Sequence, residues 1–507
     1  MGRRRHTARK QFLTLAATLA GTLLVACASA PPTEQDAIAA LNLADLPVVT
    51  PESIGYSSAT RIASDWTQAA LLLGNVSLVE PLIRPFSTQK ALISLVLKSS
   101  LGFVQRVSLD AGQFQALEAE PLPPIASRPG MDLVAWEAEL AGIAGTPTRG
   151  TVRLLVDGGE YFPRLIETIM DAEESIDIRT YVFDNDAYGV KIADLLRERS
   201  KDVHIKVLLD GIGAMIGTRV EPEDFTEDFE PPLTITSYLR DDSRVKVRTG
   251  GNPFLTGDHT KTTIIDGQLA FLGGMNISGK QRYEWHDLMM EVTGPVVDLL
   301  QRDSDVAWSK AGWLGDLSMV ARTLTPMKRR ADDIGVPLTI LTTRDHDSQL
   351  YHAQVAAIRR AQSYIFIENP YFSDDVVLFE LAKARRRGVD VRVILPDEGN
   401  HQAQNASNDL AINRMLRNGI SVYRYPGMTH VKAAIYDGWA CFGSANFDKL
   451  SLKLNDELNL GTSDPEIVGE FLERVFLPDF ALSEQVTTPL PTDWTHRIAE
   501  FLSDEIL

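Results

Sequence analysis

The chain has 507 residues, 44% of them hydrophobic, and a formal net charge of -18. The acidic balance excludes a protein that grips nucleic acid through a broadly basic surface. Its two cysteines, Cys27 and Cys441, exclude a disulfide framework and a Cys-rich zinc site.

Arg3, Arg4, Arg5, Arg9 and Lys10 precede an apolar run over residues 12–26, the layout of an export signal. The run is shorter than the roughly 20 residues of a spanning helix. An uncleaved anchor therefore ranks below cleavage before Cys27, and an ordinary secretory cut near Ala30 is the competing alternative. Leu24-Val-Ala-Cys27 resembles a bacterial lipobox. That resemblance implies a signal peptide over residues 1–26 and lipidation of Cys27, giving an exported lipoprotein on the periplasmic face. Ala28, without an acidic retention signal, points to the outer membrane. Several acyl chains on one residue give stable anchoring where a single chain does not.

Prolines 31, 32, 47 and 51 mark residues 27–55 as a tether. Residues 56–150 hold apolar stretches, notably 91–97, and breaks at Pro121, Pro123, Pro124 and Pro129, which predicts a helical region without a chemical motif. Cys441, in an apolar strand, is expected in the core. Beyond residue 150 the chain repeats itself, in halves expected at 151–325 and 326–480, with an extension over 481–507. In the first half, residues 172–183 read as a strand, followed by a helical stretch to Ser200 and a strand over 203–209. Residues 361–372, a helical stretch to Gly388 and residues 389–395 match them. Strand, helix, strand at this spacing argues βαβ units in an α/β fold, with helices on both faces of a mixed sheet.

Each half carries one motif. His259-Thr-Lys261-Thr-Thr-Ile-Ile-Asp266 is followed by Gly273-Gly274-Met-Asn276, and His430-Val-Lys432-Ala-Ala-Ile-Tyr-Asp437 by Gly443-Ser444-Ala-Asn446. On an extended strand each His and Lys point the same way, setting an imidazole beside a fixed positive charge. Asp266-Gly267 and Asp437-Gly438 are tight-hairpin signals, although the second linker is one residue shorter, so turn or register should differ. Asp287 lies 28 residues after His259, and Glu457 lies 27 after His430.

This doubled pattern resembles the phospholipase D superfamily, and cardiolipin synthases within it, over roughly residues 150–480. The resemblance implies two pseudo-symmetric αβα sandwich halves with the active site at their interface, complete in a monomer. It names His259, Lys261, Asp266, His430, Lys432 and Asp437 as catalytic, although a hairpin position suits the two aspartates better as structural carboxylates. Gly274, Asn276, Ser444 and Asn446 would bind phosphate. Glu457 would orient His259, and Asp287 would orient His430. Tyr181, Phe183, Asp186, Gly189 and Pro370-Tyr371-Phe372 also follow the family pattern, or are core aromatics and a turn. Asp258 stands where many relatives carry Arg. The implied reaction is phosphatidyl transfer or hydrolysis on a glycerophospholipid, phosphatidylglycerol or phosphatidylethanolamine, at a membrane surface. It runs through a phosphohistidine, with no cofactor, metal or nucleic acid. The alternatives are a hydrolase or nuclease acting on another phosphodiester, and a catalytically dead binding protein. The basic runs Arg385-Arg386-Arg387 and Lys328-Arg329-Arg330 read as solvated faces rather than headgroup contacts.

Overall fold

The computed structural model describes residues 80–217, 231–251, 256–326, 334–344, 347–493 and 496. The expected signal peptide, Cys27, the tether, residues 56–79, Lys328-Arg329-Arg330 and most of the C-terminal extension beyond residue 493 lie outside them.

The two longest helices before the repeat are α1 (Pro85–Ser108) and α2 (Leu133–Ala144). The first half runs β1 (Thr148–Val156), α3 (Asp157–Asp171), β2 (Ser175–Thr180), α4 (Ala187–Arg199), β3 (His204–Leu209), β4 (Lys246–Thr249), β5 (Thr262–Ile265), β6 (Leu269–Gly273), β7 (Leu288–Thr293), α5 (Val296–Lys310) and α6 (Asp316–Leu324). The second runs β8 (Val336–Arg344), α7 (Gln349–Arg360), β9 (Tyr364–Glu368), α8 (Asp375–Arg386), β10 (Asp390–Pro396), α9 (Gln402–Arg417), β11 (Ser421–Tyr425), β12 (Ala433–Tyr436), β13 (Trp439–Gly443), β14 (Glu457–Thr462), α10 (Pro465–Phe471), α11 (Leu477–Leu482) and β15 (Glu484–Val486).

All these strands join one mixed sheet, ordered β15-β11-β10-β9-β12-β13-β14-β8-β1-β7-β6-β5-β2-β3-β4. Read outward from its centre, β1-β7-β6-β5-β2-β3-β4 in one half matches β8-β14-β13-β12-β9-β10-β11 in the other. The pseudo-dyad falls between antiparallel β1 and β8, where Arg149 faces Pro337. Each half has three parallel strands, β2-β3-β4 and β9-β10-β11. The first two of each set are the βαβ unit expected from the sequence, and β4 and β11 are additions to it. One apolar core spans the halves, with Leu272 and Met290 from one side and Phe442, Leu458 and Phe471 from the other. That shared core fixes how the two motifs face each other. Cys441 is buried and unpaired, its thiol pushed up to about 12 by burial.

The two hairpins differ at the turn. Ile265 pairs with Leu269 across three residues, whereas Tyr436 pairs with Trp439 across the two-residue Asp437-Gly438. In both, the Asp and the Gly adopt positive φ, 51° and 59° in the first and 49° and 100° in the second. Positive φ at both central residues is what a two-residue primed turn demands.

The described part of the N-terminal region is largely helical and covers the second half, where Trp136 packs edge-on against Trp439 at 4.9 Å. The start of the C-terminal extension adds β15 to the edge of that half, beside β11. One expectation is corrected here. Arg385, Arg386 and Arg387 are not a solvated face: they donate to the carbonyls of Gly419 and Pro123, of Leu117, and of Ile358 and Ala361. Their guanidinium groups tie the N-terminal segment and neighbouring loops to α8.

Candidate active site

His259 and His430 sit just before β5 and β12, where each segment leaves its own half and runs beside the other. Asp258 bridges to Asp456 and His286 to Thr429, both in parallel. His259 N donates to Asp456 O at 2.9 Å and His430 N to His286 O at 2.6 Å. Each histidine is thereby placed beside the residue that precedes the other half's carboxylate. Glu457 Oε1 lies 2.9 Å from His259 Nδ1, and Asp287 Oδ2 lies 2.6 Å from His430 Nδ1. Both carboxylates are fully buried.

The lysines complete a dense cluster. Lys261 and Lys432 each donate to the carbonyl of the histidine two residues earlier, at 2.7 Å in both cases. An ammonium has three donors, so each lysine keeps capacity for an anion. Burial pushes Lys261 down to about 7, with Lys432 adding to the effect and Glu457 opposing it. Lys432 is pushed down to about 8, again by burial, against Asp287 and Glu457. Burial also lowers His259 below the usual imidazole range, and lowers His430 well below it, with Lys432, Lys261 and His259 acting in the same direction. Asp287 is raised by burial to about 7. In the Asp287–His430 pair, burial therefore favours the neutral forms.

Tyr181, one of the residues that follow the family pattern, meets His259 edge-on at 5.0 Å and lies 5.4 Å from the Lys261 ammonium. Two further neighbours were not visible as site residues in the sequence. Trp285 packs on His430 at 5.1 Å, and Gln281 Nε2 lies 3.5 Å from its Nδ1. The other residues of the aromatic pattern are structural. Phe183 is core, Asp186 caps α4 through Gly189 N, and Phe372 stacks on Phe447.

Three expectations for the motif residues need correction. Asp266 and Asp437 stand at the far ends of their strands, seven residues and on the order of 20 Å from their histidines. Asp266 accepts the backbone N–H groups of Glu173, Glu174 and Ser175, and Asp437 those of Met131, Gln362, Ser363 and Tyr364. They clamp the hairpin to its neighbouring loops and touch no imidazole. Gly274 and Ser444 do not cradle phosphate either, because their N–H groups donate to Leu288 O and Leu458 O. A Cβ on Gly274 would collide with the Asp287 carboxylate, and Ser444 Oγ donates to Glu457 Oε2. The two positions make room for one orienting carboxylate and pin the other. The asparagines also differ. Asn276 Oδ1 accepts from Val182 N at 3.0 Å, whereas the Asn446 amide bonds Asp448 and its Oδ1 is buried without a partner among the described residues.

Flanking the site, equivalent positions carry opposite charge. Arg179 and Glu368 occupy matching sites on β2 and β9, opposite Thr262 and Ala433. Arg179 binds Asp258 at 2.7 Å and Asp303 at 2.6 Å, and Arg344 reaches the same Asp303 from β8. Asp258 is thus held in an ion pair with Arg179. On the other side Glu368 accepts from Thr429 and faces His286, whose ring nitrogens meet Asp157 at 2.7 Å and Asp479 at 3.1 Å. Burial opposes protonation of His286, but the hydrogen bonds to Asp157 and Asp479 outweigh it and hold its pKa well above the usual range. His286, Glu368 and Asp479 have metal-ligand spacing. Carboxylates on both ring nitrogens suit an imidazolium instead.

Comparisons with known proteins point to one family. A family described as cardiolipin synthase, PLD-like domain, matches residues 165–308 and 355–476. Cardiolipin synthase A of Pseudomonas fluorescens SBW25 is 32% identical over 356 residues, covering 66% of this chain and 70% of that protein. Cardiolipin synthase A of Pseudomonas aeruginosa LESB58 is 29% identical over 379 residues, covering 69% and 71%. Among solved structures, the phosphatidylserine synthase of Haemophilus influenzae Rd KW20 aligns with a TM-score of 0.58 at 14% identity, covering 74% of this chain and all of that one, a likeness of fold.

Proposed function

The chain belongs to the phospholipase D-like cardiolipin synthase family, and on that premise we propose that it transfers a phosphatidyl group between alcohols through a phosphohistidine. The observation that carries the reading is the pair of imidazole–carboxylate dyads, their carboxylates fully buried, brought together across the halves beside two buried lysines. Such a cluster supplies a nucleophile, a proton carrier and charge for the non-bridging oxygens of a phosphodiester, the three needs of the reaction.

His259 is the nucleophile in this reading. Ser444 Oγ donates to Glu457 and holds it as an acceptor, so His259 donates its Nδ1–H in a hydrogen bond to Glu457 and keeps the Nε2 lone pair. Nε2 attacks phosphorus, the bond to the leaving alcohol breaks, and His430 passes its Nε2 proton to that oxygen. The Asp287–His430 pair suits this task because Asp287 is raised to about 7, close to the working pH of an acid–base catalyst. The anionic phosphodiester offsets the two ammonium charges that depress His430, so substrate binding itself favours the protonated acid. An incoming alcohol then loses its proton to His430, and its oxygen displaces His259 from phosphorus. Lys261, Lys432 and Asn276 hold the oxygens throughout.

Phosphatidylglycerol or phosphatidylethanolamine is the proposed donor, and export as a lipoprotein anchored at Cys27 the proposed setting. The test is purified protein with vesicles of labelled phosphatidylglycerol, alone and mixed with phosphatidylethanolamine. Cardiolipin and glycerol as products support transfer, phosphatidic acid means that water is the acceptor, and no turnover refutes the reading. Mass spectrometry of the membrane fraction tests anchoring, and an intact Met1 or a cut after Ala30 refutes it.

A further inference from the structure

Helix α1 presents its side chains in an unusual order. Ser87, Thr88 and Ala91 face the protein and are buried, whereas Phe86, Ile93, Val96 and Leu97 face outward, Ile93 by 58%. An amphipathic helix on a soluble protein does the reverse. Immediately beside it, Trp313 is 82% and Leu317 69% exposed, with Val320 and Leu324 following at helical spacing along α6. The two elements are tied together, since Asp316 Oδ2 accepts from Phe86 N at 2.8 Å and Ser87 N at 3.0 Å. Soluble monomers rarely expose an apolar face of this extent.

The face borders a cavity that adjoins the candidate active site. Arg84, just before α1, donates to Lys310 O at 2.6 Å, and both residues line a cavity with Gly257, Asp258, Leu454 and Asp456. Asp258 and Asp456 directly precede His259 and Glu457. Further along α1, Lys98 donates to Lys453 O, on the turn that leads into the same carboxylate. Charge points to the occupant. The 24 residues of α1 include no Asp or Glu, in a chain whose net charge is -18, and Lys90 stands exposed among the outward apolar residues.

We propose that α1 and α6 form the surface by which the protein lies on an anionic lipid bilayer. Trp313 and its apolar neighbours enter the headgroup–acyl boundary, as amphipathic interfacial segments do. The site then opens at the membrane surface, so a diacyl substrate reaches His259 and His430 with its chains still in the bilayer. This rests on the lipid-transfer reading, and the experiment separates the two.

The full chain carrying Cys27→Ala, to remove any lipid anchor, is compared with the same chain also carrying Ile93→Glu, Trp313→Ala, Leu317→Glu and Leu324→Glu. All four positions are exposed, and an unchanged unfolding midpoint checks that the fold survives. Flotation with vesicles of phosphatidylglycerol and phosphatidylethanolamine should show binding reduced by about tenfold or more, the scale expected for losing several inserted side chains. Turnover of vesicle substrate should fall with it, and turnover of monomeric dihexanoyl phosphatidylglycerol should not change. Unaltered vesicle binding overturns the proposal, as does a parent dimer that the substitutions split with vesicle binding intact, which would make a second copy the occupant. A parent protein inert toward both substrates sinks the lipid-transfer reading instead, and flotation still decides the surface.

Discussion

Glu457→Gln removes one charge from a fully buried position and leaves the volume nearly unchanged. The carboxylate lies 2.9 Å from His259 Nδ1, and its second oxygen accepts from Ser444. A glutamine can still accept from the imidazole, so the ring stays oriented. What disappears is the negative charge opposite a ring that becomes a phospho-imidazolium as the bond to phosphorus forms. Two unit charges about 4 Å apart interact by about 4 kcal/mol at an effective dielectric of about 20. Lost in the transition state alone, that is roughly a thousandfold in rate. The assay is turnover of labelled phosphatidylglycerol, with acid-quench trapping of the phosphoenzyme. Both should fall together for Glu457→Gln. Asp287→Asn should instead slow the natural substrate while sparing adduct formation from an activated p-nitrophenyl ester, whose leaving group needs no proton. Glu457→Gln at more than about a tenth of parental rate would refute this reasoning, because no charge-stabilised intermediate on His259 tolerates that loss.

His259→Ala should abolish the trapped adduct with the activated ester and His430→Ala should retain it; the opposite result reverses the two roles. Lysines hold phosphate only as ammonium ions, and in the empty site Lys261 is pushed down to about 7 and Lys432 to about 8. The kcat/KM for lipid should therefore fall as pH rises through 7 to 8, and a profile flat to about pH 9 would count against both as phosphate anchors. Asp437→Asn should lower the denaturation midpoint, at a cost of ~1–3 kcal/mol for weakened backbone bonding, while the KM of the folded protein stays put; a raised KM with unchanged stability would restore Asp437 to the site. His286, enclosed by Asp157, Asp479 and Glu368, has a folded pKa well above its usual value. Its contribution to stability is full below the unfolded pKa of about 6.5 and is lost as pH rises through the folded value. His286→Asn should flatten that alkaline decline, measured by denaturant unfolding from pH 6 upward, and an unaltered slope would rule the cluster out as its source.

What could be read in the sequence was what repeats locally. Alternation along a strand put His259 beside Lys261, and Asp-Gly announced each turn, because these are relations between residues a few positions apart. The division into two matching halves followed once the repeat was seen. The partner carboxylates were reached through resemblance, since His259 and Glu457 are 198 residues apart and meet only through the crossing of the two halves. Where one half departs from the other, local pattern gave no warning. Gly274 and Ser444 looked like a phosphate cradle because they are small, yet one is small to admit Asp287 and the other carries a hydroxyl for Glu457. Arg179 and Glu368 lie in unremarkable strands and acquire meaning only as equivalent positions of opposite charge. In the proposed mechanism these differences matter. Two identical dyads would compete for the same role at one phosphate, whereas a Glu457 pinned as an acceptor by Ser444 and an Asp287 raised to about 7 by burial would separate nucleophile from acid. Ser444→Gly, which makes the second motif imitate the first, should therefore blur that separation. Its expected signature is slower adduct formation from the activated ester without loss of the fold, and unchanged trapping kinetics would show that Glu457 keeps its state without the serine.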